Sequence, residues 1–124
     1  MKTRRMNNNV LEICDESNNV ILSIAEEVKE DNTMFISLCG EIVNEVAHEF
    51  EDEVMAALSV CKKLKIDFSK VTYIASMALK SLLSVQQMID EIDGASMILI
   101  CVSKEVMQIM KESGFSEILE IESE

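Results

Sequence analysis

The sequence contains no proline and no tryptophan, three glycines and one histidine, and aromatic residues make up 4% of it. With so few rings the core has to be aliphatic, built from Ile, Leu, Val and the nine methionines, which fill irregular gaps and also serve adaptable interfaces. A lone His48 and four cysteines without a Cys-x-x-Cys pair (Cys14, Cys39, Cys61, Cys101) supply no clustered ligands, so no metal is expected. No apolar run approaches bilayer-spanning length, and Met1-Lys2-Thr3-Arg4-Arg5 leads into polar Asn7-Asn8-Asn9, so neither membrane insertion nor a signal peptide is expected. Lys and Arg number 11 against 23 Asp and Glu, a formal net charge of -12. That balance repels phosphate backbones and anionic lipid, which argues against nucleic-acid and membrane partners and fits soluble behaviour or a basic protein partner. Cys39 and Cys101 lie inside apolar runs and read as buried core thiols of a reducing cytoplasm.

What is present suits one folded unit. The chain has 124 residues, 48% of them hydrophobic, enough for a real core. Residues 1–9 read as a flexible arm and 10–124 as the domain. Val10 to Cys14 suggests a short edge strand and Val20 to Ala25 a second strand. A charged turn follows over Glu26 to Asn32, then a stronger strand over Thr33 to Cys39, closed by Gly40. Helical spacing of Val43, Ala47, Phe50, Val54, Ala57 and Cys61 places a helix over Asn44 to Val60, with Asn44 as its N-cap and Glu49 to Glu53 on solvated faces. Lys62 to Phe68 is the next strand, followed by a turn to Ser76 and a helix over Met77 to Ile92. In that helix Leu79, Leu82, Leu83, Ile89 and Ile92 face inward. The unbroken apolar run Met97 to Val102 has the pattern of a strand covered on both faces. Ser103 then caps a third helix that stops at Ser113-Gly114. Strands alternating with helices imply an α/β fold with a mostly parallel mixed sheet and helices packed against it.

The most informative stretch is the exit from the strand ending near Phe68. It delivers Ser76 to a helix N-terminus, where backbone N–H groups point outward and the dipole favours negative charge. Such a hydroxyl is either a cap for the N–H of Ala78 or Leu79, or an acceptor for phosphate with Lys80 one turn on. Ala75, Met77 and Ala78 either pack inward or form an apolar patch rimmed by Lys70 and Lys80. Asp67 reads as an acceptor for turn N–H groups, against the rival reading of a receiver-type phosphoaspartate. His48, on an acidic helix, reads as solvated. No Ser/His/Asp or Cys/His constellation and no glycine-rich phosphate loop emerges, so neither catalysis nor a cofactor is expected. An enzyme acting through Cys39 or Cys101 is the remaining catalytic alternative.

Four motifs in order resemble the STAS domain, the fold of bacterial anti-sigma factor antagonists. Gly40-Glu41-Ile42-Val43 is similar to the family's Gly-Glu-Leu-Asp, and Ile66-Asp67-Phe68-Ser69-Lys70-Val71 to its Asp-Leu-Ser-x-Val strand exit. Tyr73-Ile74-Ala75-Ser76-Met77-Ala78-Leu79 stands in the place of Phe-Ile-Asp-Ser-Ser-Gly-Leu, and Ser113-Gly114-Phe115 matches the Thr/Ser-Gly-Leu that ends the third helix. The resemblance covers roughly Val20 to Glu122. It implies a single STAS-like domain without enzymatic activity and, as partner, a serine kinase that doubles as anti-sigma factor and phosphorylates the serine matching Ser76. The implied contact surface is Ile74, Ala75, Ser76, Met77, Ala78 and Lys80, with Val43, Asn44, Ser103 and Lys104 nearby. A weak homodimer is a further state consistent with the family. The sequence also departs from the pattern: Ala75 and Val43 replace two aspartates, and Met77 and Ala78 replace Ser and Gly. A scaffold or accessory subunit, for instance of a transporter complex, that binds without phosphorylation therefore stays open beside the switch.

Overall fold

Buried residues alternate with half-exposed ones along the central segments, the period-two pattern of a sheet covered on one face. The computed structural model describes residues 2–6 and 8–122 and arranges them around one mixed sheet whose strands follow chain order. These are β1 (Lys2–Arg5), β2 (Val10–Cys14), β3 (Val20–Val28), β4 (Thr33–Ile42), β5 (Lys63–Ile74), β6 (Ser96–Ile100) and β7 (Glu120–Ile121). Neighbours from β1 to β4 run antiparallel, and those from β4 to β7 parallel. A 3₁₀ turn over Asn44–Val46 opens into α1 (Ala47–Val60); α2 (Ser76–Asp90) and α3 (Lys104–Glu112) make the later crossovers. The α/β class is as expected, but the antiparallel share is larger than a largely parallel sheet would have.

One core holds the two layers together. Ile24, Ile36, Leu38, Ile66 and Leu99 of the sheet are buried in the same cluster as Phe50 and Val54 of α1, Leu79, Leu82 and Val85 of α2, and Val106 and Met110 of α3. The alternate residues Ser23, Ala25, Phe35, Ser37, Lys65 and Ile98 are only half buried, so the helices lie against one face. The expectation that the run Met97 to Val102 is covered on both faces fails for this reason. Met97 and Leu99 are buried, while Ile98 and Ile100 are not. Cys39 and Cys101, expected in the core, are exposed, whereas Cys14 and Cys61 are buried. Cys39 falls on the outward parity of β4, and Cys101 leaves the strand with φ 57.

With proline absent, asparagine makes the hairpins. Asn9, Asn18 and Asn32 take φ values of 62, 68 and 64 between successive antiparallel strands, a conformation Asn tolerates better than most residues. Asp15 accepts the backbone N–H groups of Ser17 and Asn19, and Asp31 that of Thr33. The expected charged turn over Glu26 to Asn32 narrows, because β3 continues to Val28. The expected flexible arm instead carries β1, paired antiparallel to β2, so β2 is flanked on both sides; Met1 and Asn7 of that arm, and Ser123 and Glu124 of the expected domain, lie outside the described residues.

Two features fix the meander, one within the sheet and one to a helix. Gly40 does not close β4. The strand bulges there against β5 and runs on to Ile42, with Gly40 at φ 124, where a Cβ would collide with the carbonyl oxygen of Ile21. The second is a charged cluster. Arg5 of β1 donates from both guanidinium nitrogens to the two oxygens of Glu53 on α1, each at 2.9 Å. Glu53, expected on a solvated face, is buried. The hydrogen bond from Arg5 holds its carboxyl below the ordinary range, while burial, reinforced by Glu53, pushes the neighbouring Glu26 carboxyl up to about 7.

Two outcomes follow from these contacts. Gly40→Ala combines a positive φ with a backbone collision and should lower unfolding free energy by about 3 kcal/mol or more in chemical denaturation. Glu26 is raised in the folded state, so its contribution is fully present below its ordinary value of 4.5 and is lost as pH rises through about 7. Glu26→Gln should remove that decline, making the variant's gain over the parent grow with pH across this window in denaturant titrations.

Candidate functional site

β4 and β5 end side by side, with Ile42 paired to Ile74, and the N–H of Ala75 donates to the carbonyl of Ile42 at 2.9 Å. No separate turn links strand to helix as expected. β5 runs for 12 residues to Ile74 and passes through Ala75 directly into α2. Ala75, with φ -89 and ψ 165, occupies the N-cap position and has no side-chain acceptor to offer. Ser76 is the first helical residue, so the expected cap from its hydroxyl to Ala78 or Leu79 is not formed; the N–H of Leu79 donates to the Ala75 carbonyl.

The missing cap comes from elsewhere in the chain. The N–H of Met77 donates to Oδ1 of Asn44 at 3.2 Å. Asn44 was expected to cap α1. The cap position of its 3₁₀ turn belongs instead to Val43, without a side-chain bond, and Asn44 turns to the neighbouring helix. Deeper in, Ser81 donates from its buried Oγ to the carbonyls of Ala47 at 3.1 Å and Met77 at 3.2 Å, tying α2 to the start of α1. Ser81 escaped the sequence reading, although its place on the apolar stripe with Ala78, Leu82 and Val85 is a signal for a buried hydroxyl.

This scaffold sorts the expected contact residues. Ile74, Ala75 and Ala78 are buried and support the surface rather than form it, and Val43 is half-buried. Asn44, Ser76, Met77 and Lys80 are exposed, and Tyr73, which was not among the expected contact residues, joins them; Met77 is 52% and Tyr73 45% exposed. Ser103 accepts from the N–H of Val106 at 3.2 Å and so caps α3, with Lys104 exposed beside it. It is the other end of α3 that meets Ser76. Ile109, Glu112 and Ser113 line a cleft of about 390 Å³ with Tyr73, Ser76 and Leu79. On the far side of Met77, a cleft of about 310 Å³ between α1 and α2 is lined by His48, Glu51, Met77 and Lys80. Asp67 accepts the N–H of Ser69 at 2.8 Å, but both residues lie within β5, so the acceptor role read for it is filled inside a strand and not in a turn; exposed His48 faces Asp52 at 3.2 Å.

The start of α2 thus depends on one side chain from another segment. Asn44→Ala should cost about 1 kcal/mol of stability, as capping substitutions do, while Asn44→Asp, which keeps the acceptor, should retain most of it. Equal losses in both variants on denaturant unfolding would remove Asn44 from this role.

Comparison with known proteins adds to the geometry. The family model of the STAS domain matches residues 23–124. No curated protein matches the sequence. Among solved structures, an anti-sigma factor antagonist from Mycobacterium paratuberculosis is 17% identical with a TM-score of 0.70, over 90% of this chain and 92% of that one. A candidate anti-sigma factor antagonist from Thermotoga maritima is 19% identical with a TM-score of 0.68, over 82% and 86%. The Bacillus cell-fate determinant SpoIIAA, in its phosphorylated form, is 16% identical with a TM-score of 0.61, over 82% and 92%. At these identities the structures share a fold. Together with a family model that spans most of the length, they establish that the chain belongs to the STAS domain family.

Proposed function

We propose that this STAS domain is a cytoplasmic, non-enzymatic regulator of the anti-sigma factor antagonist type, and that it acts through protein contact at the start of α2. Its partner is a serine kinase that doubles as anti-sigma factor. Ser76 is the acceptor of the phosphoryl group, which passes from ATP on the kinase to the serine oxygen. One observation carries this reading. Ser76 is exposed in the first turn of α2 and is not engaged in capping, because Asn44 fills that role. A hydroxyl left out of the cap is available to a kinase without dismantling the helix start. The helix N-terminus and Lys80 favour the added charge, and Glu112 across the cleft opposes it.

A second reading has its own observation. Ala75 and Val43, the residues beside Ser76 and Asn44, carry no carboxylate, and the helix start is ordered without one. In that case the domain is a scaffold or accessory subunit, for instance of a transporter complex, that binds constitutively.

Incubation with ATP and the anti-sigma kinase encoded in the same genome separates the two. The switch predicts one phosphate on Ser76 by mass spectrometry and none on Ser76→Ala. That variant should keep its stability within about 0.5 kcal/mol, because the residue is exposed and makes no cap bond. A stable complex that forms without any transfer would decide for the scaffold.

A further inference from the structure

We propose that the two clefts flanking the start of α2 receive a basic segment of the partner protein, with apolar side chains in the clefts and Arg or Lys against their acidic rim. This rests on the reading of the α2 start as the contact surface and adds the chemistry of what binds there. Tyr73 exposes apolar area in the cleft beside α3, and Met77 in the cleft between α1 and α2. The surroundings are mostly acidic, with Lys80 as the exception. Glu51 lines one cleft and Glu112 the other, Glu41 stands opposite Tyr73 in the β4–β5 ladder, and Glu45 follows Asn44. None of these four has a salt bridge among the described residues. Among the described residues, Lys80 is the one lysine or arginine lining either cleft, and His48 is turned to Asp52. Three other cations, Arg4, Arg5 and Lys29, are engaged with Glu12, Glu53 and Glu27 away from this surface.

Charge also selects among occupants. A second copy would bring the same acidic rim and a formal charge of -12, and a nucleic acid would bring phosphate, so both are repelled. A basic protein surface is attracted over a distance and held by the apolar centre. Charge pairs around a rim act mainly on the association rate and on partner choice, so binding should weaken as salt rises.

The test uses the full chain, isotope-labelled, and an amphipathic helical peptide of leucine and arginine as probe. The same pattern with glutamate in place of arginine serves as control. The arginine peptide should shift the amide signals of Glu51, Tyr73, Met77 and Glu112, the shifts should fade with added salt, and the glutamate peptide should give none. The triple variant Glu45→Lys, Glu51→Lys, Glu112→Lys should weaken binding by about tenfold or more, whereas Glu30→Lys in the distant β3–β4 turn should leave it unchanged. Shifts concentrated in that distant turn, equal shifts with both peptides, or indifference to the rim reversal would each overturn the proposal. The two readings fail separately. A kinase that never binds, beside a probe that maps to the clefts, defeats only the kinase reading. A kinase that binds regardless of salt and of the rim reversal defeats only this one.

Discussion

The side-by-side termination of β4 and β5 is the constraint on which the rest of the molecule depends. It places the carbonyl of Ile42 against the N–H of Ala75, and so aims α2 out of the sheet at a fixed point. The same pairing brings Asn44 within reach of Met77 and sets Glu41 beside Tyr73. Gly40 makes it workable, because only a residue without a side chain can pass that close to Ile21 while β4 bulges. Shape at the start of α2 is therefore decided in the sheet, several residues before the helix starts.

Charge is distributed with the same economy. A chain this acidic repels itself, and the buried carboxylate of Glu53 needs a cation nearby. Arg5 supplies it from β1, which ties the outermost strand to α1 across the edge of the sheet. Arg4 and Glu12 make a second, more exposed tie between β1 and β2. Charged side chains on an edge strand also discourage pairing with other chains, so the two arginines stabilise the fold and guard its border. Among the described residues the acids around the clefts have no salt bridge, and their field is left to act outward.

Much of this was legible in the residues. The spacing of Ala47, Phe50, Val54 and Ala57, and of Leu79, Leu82 and Ile89, identified helix faces that are buried. The motifs around Gly40, Asp67 and Ser76 pointed to the family whose model matches. Two of the misreadings share a cause, which is that local windows do not see neighbours distant in sequence. Asn44 stands before an apolar periodic stretch and looks like its cap, yet the N–H it serves belongs to a strand-helix junction elsewhere. Lys2–Arg5 has no apolar alternation to announce a strand, because every one of its residues is exposed and the pairing with β2 rests on backbone bonds. Cys39 was readable. Met34, Ile36 and Leu38 occupy the inward parity of β4, which leaves position 39 facing out. Cys101 was not, since the strand parity breaks where the backbone enters the left-handed region.

The bond between Asn44 and Met77 spans 33 positions of the chain. Most helix ends are completed by an adjacent residue and fray on their own, at little free-energy cost. Here the first turn of α2 is closed by a side chain whose own position requires β4 to be in place. Opening at that turn is thereby coupled to the opening of a much larger cooperative unit. The start of α2 is accordingly preorganised, and any association there would lose less conformational entropy than at a freely fraying helix end.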